Sequence, residues 1–255
     1  MRRTAALLAL APLLAGCGGN AHGVLSQTAA RLGKIRSGNL SMSFFVTPRG
    51  VGHGRRFGYE LHGPFALRGT GSLPLAHVEY TQTANGKSAT VTFVSTGTRA
   101  YVVANGRQIA VPASALSGVG GSGGNGFSEL RIDDWVKHPH GAGCKTKRQG
   151  SLECVDADLD VVNAVNDLAA LARSVSGRQL PRIRGSSAKQ LRDATKSARL
   201  HVESGKKDHL LRLLEIDADF GLDVPKELRK AFGNVVGAKV HFSLGVRDPN
   251  RPVHI

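Results

Sequence analysis

Apolar and polar residues alternate most regularly in the stretch VGAKVHFSLGV, residues 236–246. Every second position in it is apolar: Val236, Ala238, Val240, Phe242, Leu244 and Val246. Successive side chains of a strand point to opposite faces of a sheet, so these six share one face. The stretch therefore predicts a strand with one polar and one apolar face, and the apolar face needs a cover.

The same period of two runs through the first half of the chain. Strands are predicted at residues 40–47, 57–67, 76–83, 89–96, 99–105 and 107–112. The dipeptides Asn85-Gly86 and Asn105-Gly106 between them are typical of hairpin turns. We therefore expect an antiparallel meander of about six strands, with further strands at 199–204 and 209–222.

Apolar residues at helical spacing predict one helix from Val24 to Arg36, closed by Gly38, and a second over 160–176, capped by Asp160. Shorter helices are expected around Trp135 and in the segments SSAKQLRDATKSA (186–198) and PKELRKAF (225–232). This order favours one α+β domain. A long, strongly curved antiparallel sheet has a concave face that few helices can fill, so an apolar cavity is expected there.

The first twenty residues read as an export signal. Arg2 and Arg3 precede an apolar run over 5–15, which is shorter than the roughly 20 residues of a bilayer span. Leu14-Ala15-Gly16-Cys17 looks like a bacterial lipobox, whose cysteine is acylated and becomes the mature N-terminus. An ordinary secretory signal with an incidental cysteine is the alternative.

This interpretation predicts three segments and a cellular location. We expect a lipoprotein signal peptide at 1–16, a lipidated tether at 17–23 and a single domain at 24–255. Acylation of Cys17 would anchor the protein to the outer face of the cytoplasmic membrane.

Cys144 and Cys154 remain, on either side of a turn at Gln149-Gly150. Exported proteins favour disulfides, and closing so short a loop contributes about 2–3 kcal/mol in the chain-entropy model. We therefore predict a disulfide-pinned hairpin whose flanks are compatible with short strands. The alternative is a metal site with His138 and His140, which the intervening proline disfavours.

The chain is strongly basic, with 34 Lys and Arg against 19 Asp and Glu and a formal net charge of +15. The basic residues are scattered and not interleaved with aromatics, and no nucleic-acid-binding motif is present, so no nucleic-acid partner is expected. A solvated basic face explains the charge. A preference for anionic lipid surfaces is the alternative.

Signatures of catalysis are weak or absent. Residues 118–123, GVGGSG, fit G-x-G-x-x-G, but no βαβ unit surrounds them and a flexible loop is the better interpretation. No nucleophile elbow occurs. The strand histidines are predicted at surface or rim positions: His62, His77, His201 and His241. Glu215, Asp217 and Asp219 fit the wetted side of a strand, so we expect no enzyme, no cofactor and no metal site.

The order of elements resembles a known family. A lipobox and a helix precede a meander that contains GPFALRGTGSLPLAHVEYTQT (63–83) and STGTRAYVVANGRQIAVP (95–112). A Trp-containing helix, DADLDVVNAVNDLAALA (156–172) and a final meander follow. This is similar to the actinobacterial LppX and LprG lipoproteins, within the wider fold of the lipoprotein carrier LolA and the receptor LolB. The Cys144–Cys154 hairpin is a departure from the best-known members.

The resemblance implies a half-barrel of antiparallel strands, closed by helices over a hydrophobic cavity. It further implies that acylated lipids, lipoglycans or lipoproteins are bound in transit across the envelope, with an envelope transporter as a further partner and a monomeric protein. A non-transporting protein-binding or envelope-stress-sensing module of the same fold is the alternative.

The residues expected to line the cavity come from the apolar faces of the predicted strands and of the second helix. Plain core packing is the alternative for each of them. They are Met42, Phe44, Tyr59, Leu61, Phe65, Val78, Tyr80, Val91, Phe93, Leu168, Leu171, Leu214, Ile216, Val240 and Phe242.

Overall fold

The computed structural model describes residues 20–51, 55–68, 72–112, 130–146, 149–176, 181–221 and 234–255. Within them, eleven strands form one curved antiparallel sheet that does not close into a barrel. The predicted fold class is thus confirmed. The strands are β1 (Ser37–Val51), β2 (Phe57–Ala66), β3 (Leu75–Ala84), β4 (Lys87–Thr96), β5 (Ala100–Ala104), β6 (Arg107–Ala110), β7 (Val136–Gly141), β8 (Leu152–Leu159), β9 (Thr195–Gly205), β10 (Leu211–Gly221) and β11 (Asn234–Arg247).

The sheet consists of two meanders joined at its centre. The spatial order is β6-β5-β4-β3-β2-β1-β11-β10-β9-β8-β7. The first meander therefore runs outward from β1, and the second runs inward to β11. Across the central pair, Met42 lies opposite Leu244 and Phe44 opposite Phe242. The predicted meander of six strands and the predicted terminal strand are both present.

Two hairpins of the first meander have the predicted turn chemistry. Asn85 and Gly86 have φ angles of 54° and 74°, and Asn105 and Gly106 have 48° and 73°. Left-handed φ at both central residues defines a type I′ turn, whose twist matches that of the flanking strands. Asn and Gly tolerate this conformation better than other residues, which is why the dipeptides predict the turns.

Three α-helices and one short 3-10 helix lie in the described ranges. They are α1 (Ala21–Leu32), the 3-10 helix (Ile132–Trp135), α2 (Val161–Ser176) and α3 (Gly185–Ala194). The predicted cap of α2 is confirmed, because Oδ1 of Asp160 accepts hydrogen bonds from the N–H groups of Val162 and Asn163. None of the helices in these ranges combines the length and the apolar character that a membrane span requires.

Three predicted helix boundaries are wrong. The first helix begins at Ala21, because the Asn20 side chain accepts from the N–H of Gly23, so residues 21–23 belong to the helix and not to a tether. It ends at Leu32 with Gly33 as its C-cap. The short helix predicted over 186–198 stops at Ala194, because Thr195 already pairs with Phe220 in the sheet.

The main core lies between α1, the 3-10 helix and the second meander. Leu25, Ile132, Trp135 and Val202 are fully buried in it. Nε1 of Trp135 donates to Oδ2 of Asp167, 2.8 Å away, which satisfies the polar atom of the indole. Within the described ranges, β3–β6 contribute no residue to this cluster or to the smaller one between α2 and α3.

Cys144 and Cys154 form a disulfide, with their Cα atoms 5.4 Å apart, as predicted. Cys154 lies on β8, whereas Cys144 lies in the loop after β7, so only one flank is a strand. His140 Nδ1 lies 3.3 Å from the carbonyl oxygen of His138. No cluster of three or more His, Cys, Asp or Glu side chains suited to a metal ion occurs among the described residues.

A buried carboxylate anchors the disulfide loop to the polar face of the sheet. Glu203 is 0% exposed and accepts from the N–H groups of Lys145 and Thr146. Nε2 of His201 lies 3.1 Å from Oε1 of Glu203, and Nδ1 of His201 contacts Asp156. The prediction of a surface or rim position is wrong for His201, which is buried, because these carboxylates satisfy both ring nitrogens.

Burial raises the pKa of Glu203, but hydrogen bonds from Thr146, His201 and the backbone N–H of Lys145 outweigh it, and the pKa lies below its ordinary value. A depressed carboxyl pKa contributes stability that is present above the ordinary pKa and is lost as the pH falls through the folded-state value. Glu203 therefore stabilises the fold at neutral pH and not in strong acid.

Several predicted features lie outside the described residues and stay predictions. These are Cys17 with the whole signal peptide, the glycine-rich segment 118–126 and the helix predicted over 225–232. The limits proposed for the signal peptide and for the single domain also stay predictions.

We predict that Glu203→Gln lowers the free energy of unfolding by roughly 1–3 kcal/mol at pH 7, because charged hydrogen bonds in a buried site are lost. The difference from wild type should shrink as the pH falls from about 5 to about 3, through and below the ordinary glutamate pKa near 4.3. Urea unfolding at several pH values measures both effects. Glu79→Gln is the control, because its exposed ion pair with His62 contributes little. A difference that stays constant with pH would contradict the account.

Candidate functional site

The predicted lining positions on the strands share the face of the sheet that contacts the helices, here called the inner face. The pairing register shows this directly. Phe44 lies opposite Tyr59 on one side and Phe242 on the other. Leu61 lies opposite Tyr80, and Ile216 lies opposite Phe242. Each strand follows the same alternation, so a single continuous apolar face crosses the central strands of both meanders.

Four of these positions are buried parts of the packed core. Phe65, Leu214 and Ile216 belong to the main cluster beneath α1. Val78 is buried opposite Phe93. For Phe65, Leu214 and Val78, the packing alternative describes the contacts that the structure shows, and a role in lining a cavity stays a prediction; Ile216 also borders a small apolar pocket.

Another group forms a partly exposed apolar strip on the inner face of β2–β4, here called the open groove. Its members are half-exposed and belong to neither core cluster: Tyr59, Leu61, Tyr80, Val91 and Phe93. In the described ranges α1 packs mainly on the 3-10 helix and on β7–β10, and α3 packs on α2 and β9. The helices of the described ranges therefore pack mainly on the second meander, and the residues of the open groove keep part of their surface exposed.

The floor of the open groove carries a row of aromatic rings. The ring centroids of Phe44 and Tyr59 are 5.7 Å apart, and those of Tyr59 and Tyr80 are 6.1 Å apart. Burial, and secondarily the neighbouring Tyr80, raises the pKa of Tyr59, so this phenol stays neutral at physiological pH. Along the described strands β1–β5, Lys87 at a hairpin is the sole charged residue at an inner-face position.

A small apolar pocket of about 100 Å³ continues the groove beneath α2. Five predicted residues border it, namely Phe44, Leu168, Ile216, Val240 and Phe242. Phe44 borders the pocket and also contacts Tyr59, so it joins the pocket to the open groove. Leu171 lies on the same helix, but its side chain is outside the described part of the structure.

Sequence reasoning missed further members of the pocket. All of them are apolar, from β8, β10 and α2: Leu159, Val161, Ala164, Val165, Ala218 and Phe220. The signal was present, because Ala218 and Phe220 continue the alternation of Leu214 and Ile216. Ala164 and Val165 lie on the apolar stripe of the helix. Small apolar residues are equally suited to a packed core, so their pattern alone does not identify a pocket.

The acidic series on β10 lies on the opposite, polar face of the sheet, as predicted, and is engaged in ion pairs. Nζ of Lys145 contacts Glu215, and this hydrogen bond raises the pKa of Lys145. Nδ1 of His241 lies 2.8 Å from Asp217, and Nη2 of Arg49 lies 2.5 Å from Asp219. Each carboxylate therefore has its own partner, Lys145, His241 or Arg49, and the three do not converge on one point.

No protein-family model matches the chain, and no curated protein sequence matches it. Two solved structures are similar to it over most of their length. The crystal structure of LprF from Mycobacterium bovis has a TM-score of 0.43 and 12% identity, covering 94% of this chain and 98% of that one. The crystal structure of the Mycobacterium tuberculosis lipoprotein LppX has a TM-score of 0.41 and 11% identity, covering 92% and 98%.

Proposed function

We propose that this protein binds acyl chains of an envelope lipid, lipoglycan or lipoprotein on the inner face of its sheet, as a membrane-anchored carrier or chaperone. The observation that carries the proposal is the continuity of two apolar features through Phe44. On one side lies the open groove, and on the other lies the pocket beneath α2. Together they form a path whose apolar lining suits a hydrocarbon chain.

The volumes favour an elongated ligand that occupies both features. Compact ligands fill pockets of roughly 300–1,000 Å³. A pocket of about 100 Å³ takes only one end of a chain. The rest of the chain would lie along Tyr59, Tyr80 and Phe93, where each buried Å² of apolar surface contributes about 25 cal/mol.

The openness of the groove favours transfer over permanent storage. Tyr59 and Leu61 remain half-exposed, so a chain could enter sideways without opening the packed core beneath α1. An exposed apolar strip of this kind is uncommon on proteins without a binding partner. Acylation of Cys17 would hold the groove close to the membrane, and an envelope transporter is a compatible partner for delivery.

Filling the pocket should weaken acyl binding. We predict that Ala218→Phe and Val165→Trp each raise the Kd for BODIPY-labelled hexadecanoic acid at least about ten-fold, because each places a large side chain in the small pocket. Fluorescence titration measures the Kd. Val165 is 37% exposed, so its variant carries less risk of overpacking the core.

Ala110→Phe is the matched control for these variants, because it adds the same ring to an exposed position of the edge strand β6. Its Kd should stay within about two-fold of wild type. A wild-type protein that takes up no acyl probe would overturn the proposal and favour a protein-binding or stress-sensing module, whose groove a partner polypeptide fills.

A charge in the open groove should have a stronger effect than a charge on the polar face. We predict that Tyr80→Asp reduces acyl affinity at least about ten-fold, since an unpaired carboxylate beneath a hydrocarbon chain loses its hydration. Thr81→Asp on the next residue of β3 points to the other face and should change it less than about two-fold. Tyr80→Phe should retain binding. Equal losses for both aspartate variants, measured with the same probe, would be inconsistent with a ligand on the inner face.

A further inference from the structure

A second cavity lies on the polar face, behind the apolar pocket. Its volume is about 540 Å³, within the range of ligand sites, and it spans β1, β9, β10 and β11. Ala218 and Val240 border both cavities, so only the thickness of the sheet separates them. We call it the outer cavity. The polar and basic side chains that line it are those of Thr47, Arg56, Ser197, Arg199, Lys239 and His241.

An aromatic ring with a guanidinium above it forms one wall of the outer cavity. Phe45 is 5% exposed although it belongs to the polar face. The guanidinium of Arg56 lies 3.4 Å from the centroid of its ring, a cation–π contact. Gly58 makes this packing possible, because a Cβ there would lie 2.7 Å from Cδ1 of Phe45. The stacking holds Arg56 in place at the cavity wall.

The outer cavity has more positive than negative charge available to a ligand. Its two carboxylates already have partners, Asp217 with His241 and Asp219 with Arg49. Arg199 lies opposite Asp217 in the sheet, and Lys239 lies opposite Asp219.

Arg199 and Lys239 form no ion pair with any residue that the structure describes. Asp158, the other neighbour of Arg199, contacts His138. Arg56, Arg199 and Lys239 therefore face the cavity as three cations, with the hydroxyl groups of Thr47 and Ser197 beside them. Such a set suits an anion that has several acceptor oxygens, as a phosphate does.

Exposed apolar side chains occur at the same end of the sheet. Phe57, next to Arg56, is 45% exposed, and Val236, three residues before Lys239, is 54% exposed. Arg55 donates to the carbonyl oxygen of Asn85, which links the start of β2 to the β3–β4 hairpin. Exposed apolar residues among basic ones are typical of surfaces that attach to anionic membranes.

The excess of basic residues in the first meander is consistent with attachment to an anionic membrane. Residues 37–110, which span this meander, contain seven Lys and Arg but only two acidic residues, Glu60 and Glu79. Each Lys or Arg held close to an anionic membrane adds to the attraction. Three cations gathered in one cavity should therefore contribute more than the same number scattered over the surface.

We propose that the outer cavity binds the phosphate headgroup of an anionic phospholipid and thereby seats this end of the sheet on a membrane. Arg56, Arg199 and Lys239 would donate to the phosphate oxygens, while Phe57 and Val236 would enter the headgroup region. The proposal goes beyond acyl binding, because the phosphate would bind on the polar face and needs no ligand on the inner face. Phe57 pairs with Val46, so it would reach the membrane from the inner-face side of the same end of the sheet.

The test is sedimentation of the chain from Gly18 onward, which keeps every described helix and strand, with vesicles of phosphatidylcholine containing about 30% phosphatidylglycerol. The triple variant R56Q/R199Q/K239Q should bind at least about ten-fold more weakly than wild type. The matched control R68Q/R99Q/R247Q removes the same charge from exposed positions away from the outer cavity and should lose less than about three-fold. Neither the wild type nor the two triple variants should bind appreciably to vesicles of pure phosphatidylcholine.

Equal losses for the two triple variants would overturn the proposal, because general attraction of a basic protein would then suffice.

Calorimetric titration with glycerol phosphate distinguishes a site for a lipid headgroup from a site for a free phosphate. Binding of glycerol phosphate as tight as vesicle binding would show a site for soluble phosphates and contradict membrane seating. R199Q/K239Q, which leaves the stacked Arg56 intact, should reproduce most of the loss. All variants should still take up the acyl probe. A failure of the membrane-binding proposal can therefore be told apart from a failure of the acyl-binding proposal.

Discussion

The pairing of β1 with β11 holds the two meanders in one sheet, and both proposed sites depend on its register. On the inner face it places Phe44 beside Phe242 and Val46 beside Val240, at the junction of the open groove and the apolar pocket. On the polar face the alternate residues bring Phe45 beside His241 and Thr47 beside Lys239, in the outer cavity. A slip of one residue would exchange the two faces, so the register is a condition for both functions.

Uneven cover of the inner face is the second constraint. In the described ranges α1 and the 3-10 helix bury the second meander around Trp135 and Val202, which provides the stable part of the fold. Among the described residues, β3–β6 of the first meander contribute nothing to that core, and Tyr59 and Tyr80 stay partly exposed. The division lets one part of the sheet supply stability while the other presents apolar surface to a ligand.

Features that depend on local sequence could be predicted. Alternation placed Phe44, Val240 and Phe242 on one face, and the Asn-Gly dipeptides placed two hairpins, because side-chain direction and turn geometry follow from neighbouring residues. Features that depend on distant partners could not. The burial of His201 requires Asp156 and Glu203, and no local pattern distinguishes it from an exposed strand histidine. For the same reason the pattern did not separate core residues such as Leu214 from groove residues such as Leu61.

If the inner face holds a hydrocarbon chain, native mass spectrometry of the polypeptide from Gly18 onward, produced in its own host, should detect the bound ligand. A fraction of the protein should then be heavier than the bare polypeptide. Denaturation should release the extra mass as a species that carries acyl chains. A protein that always has the mass of the bare polypeptide, and stays so after incubation with extracted envelope lipids, would contradict the proposal.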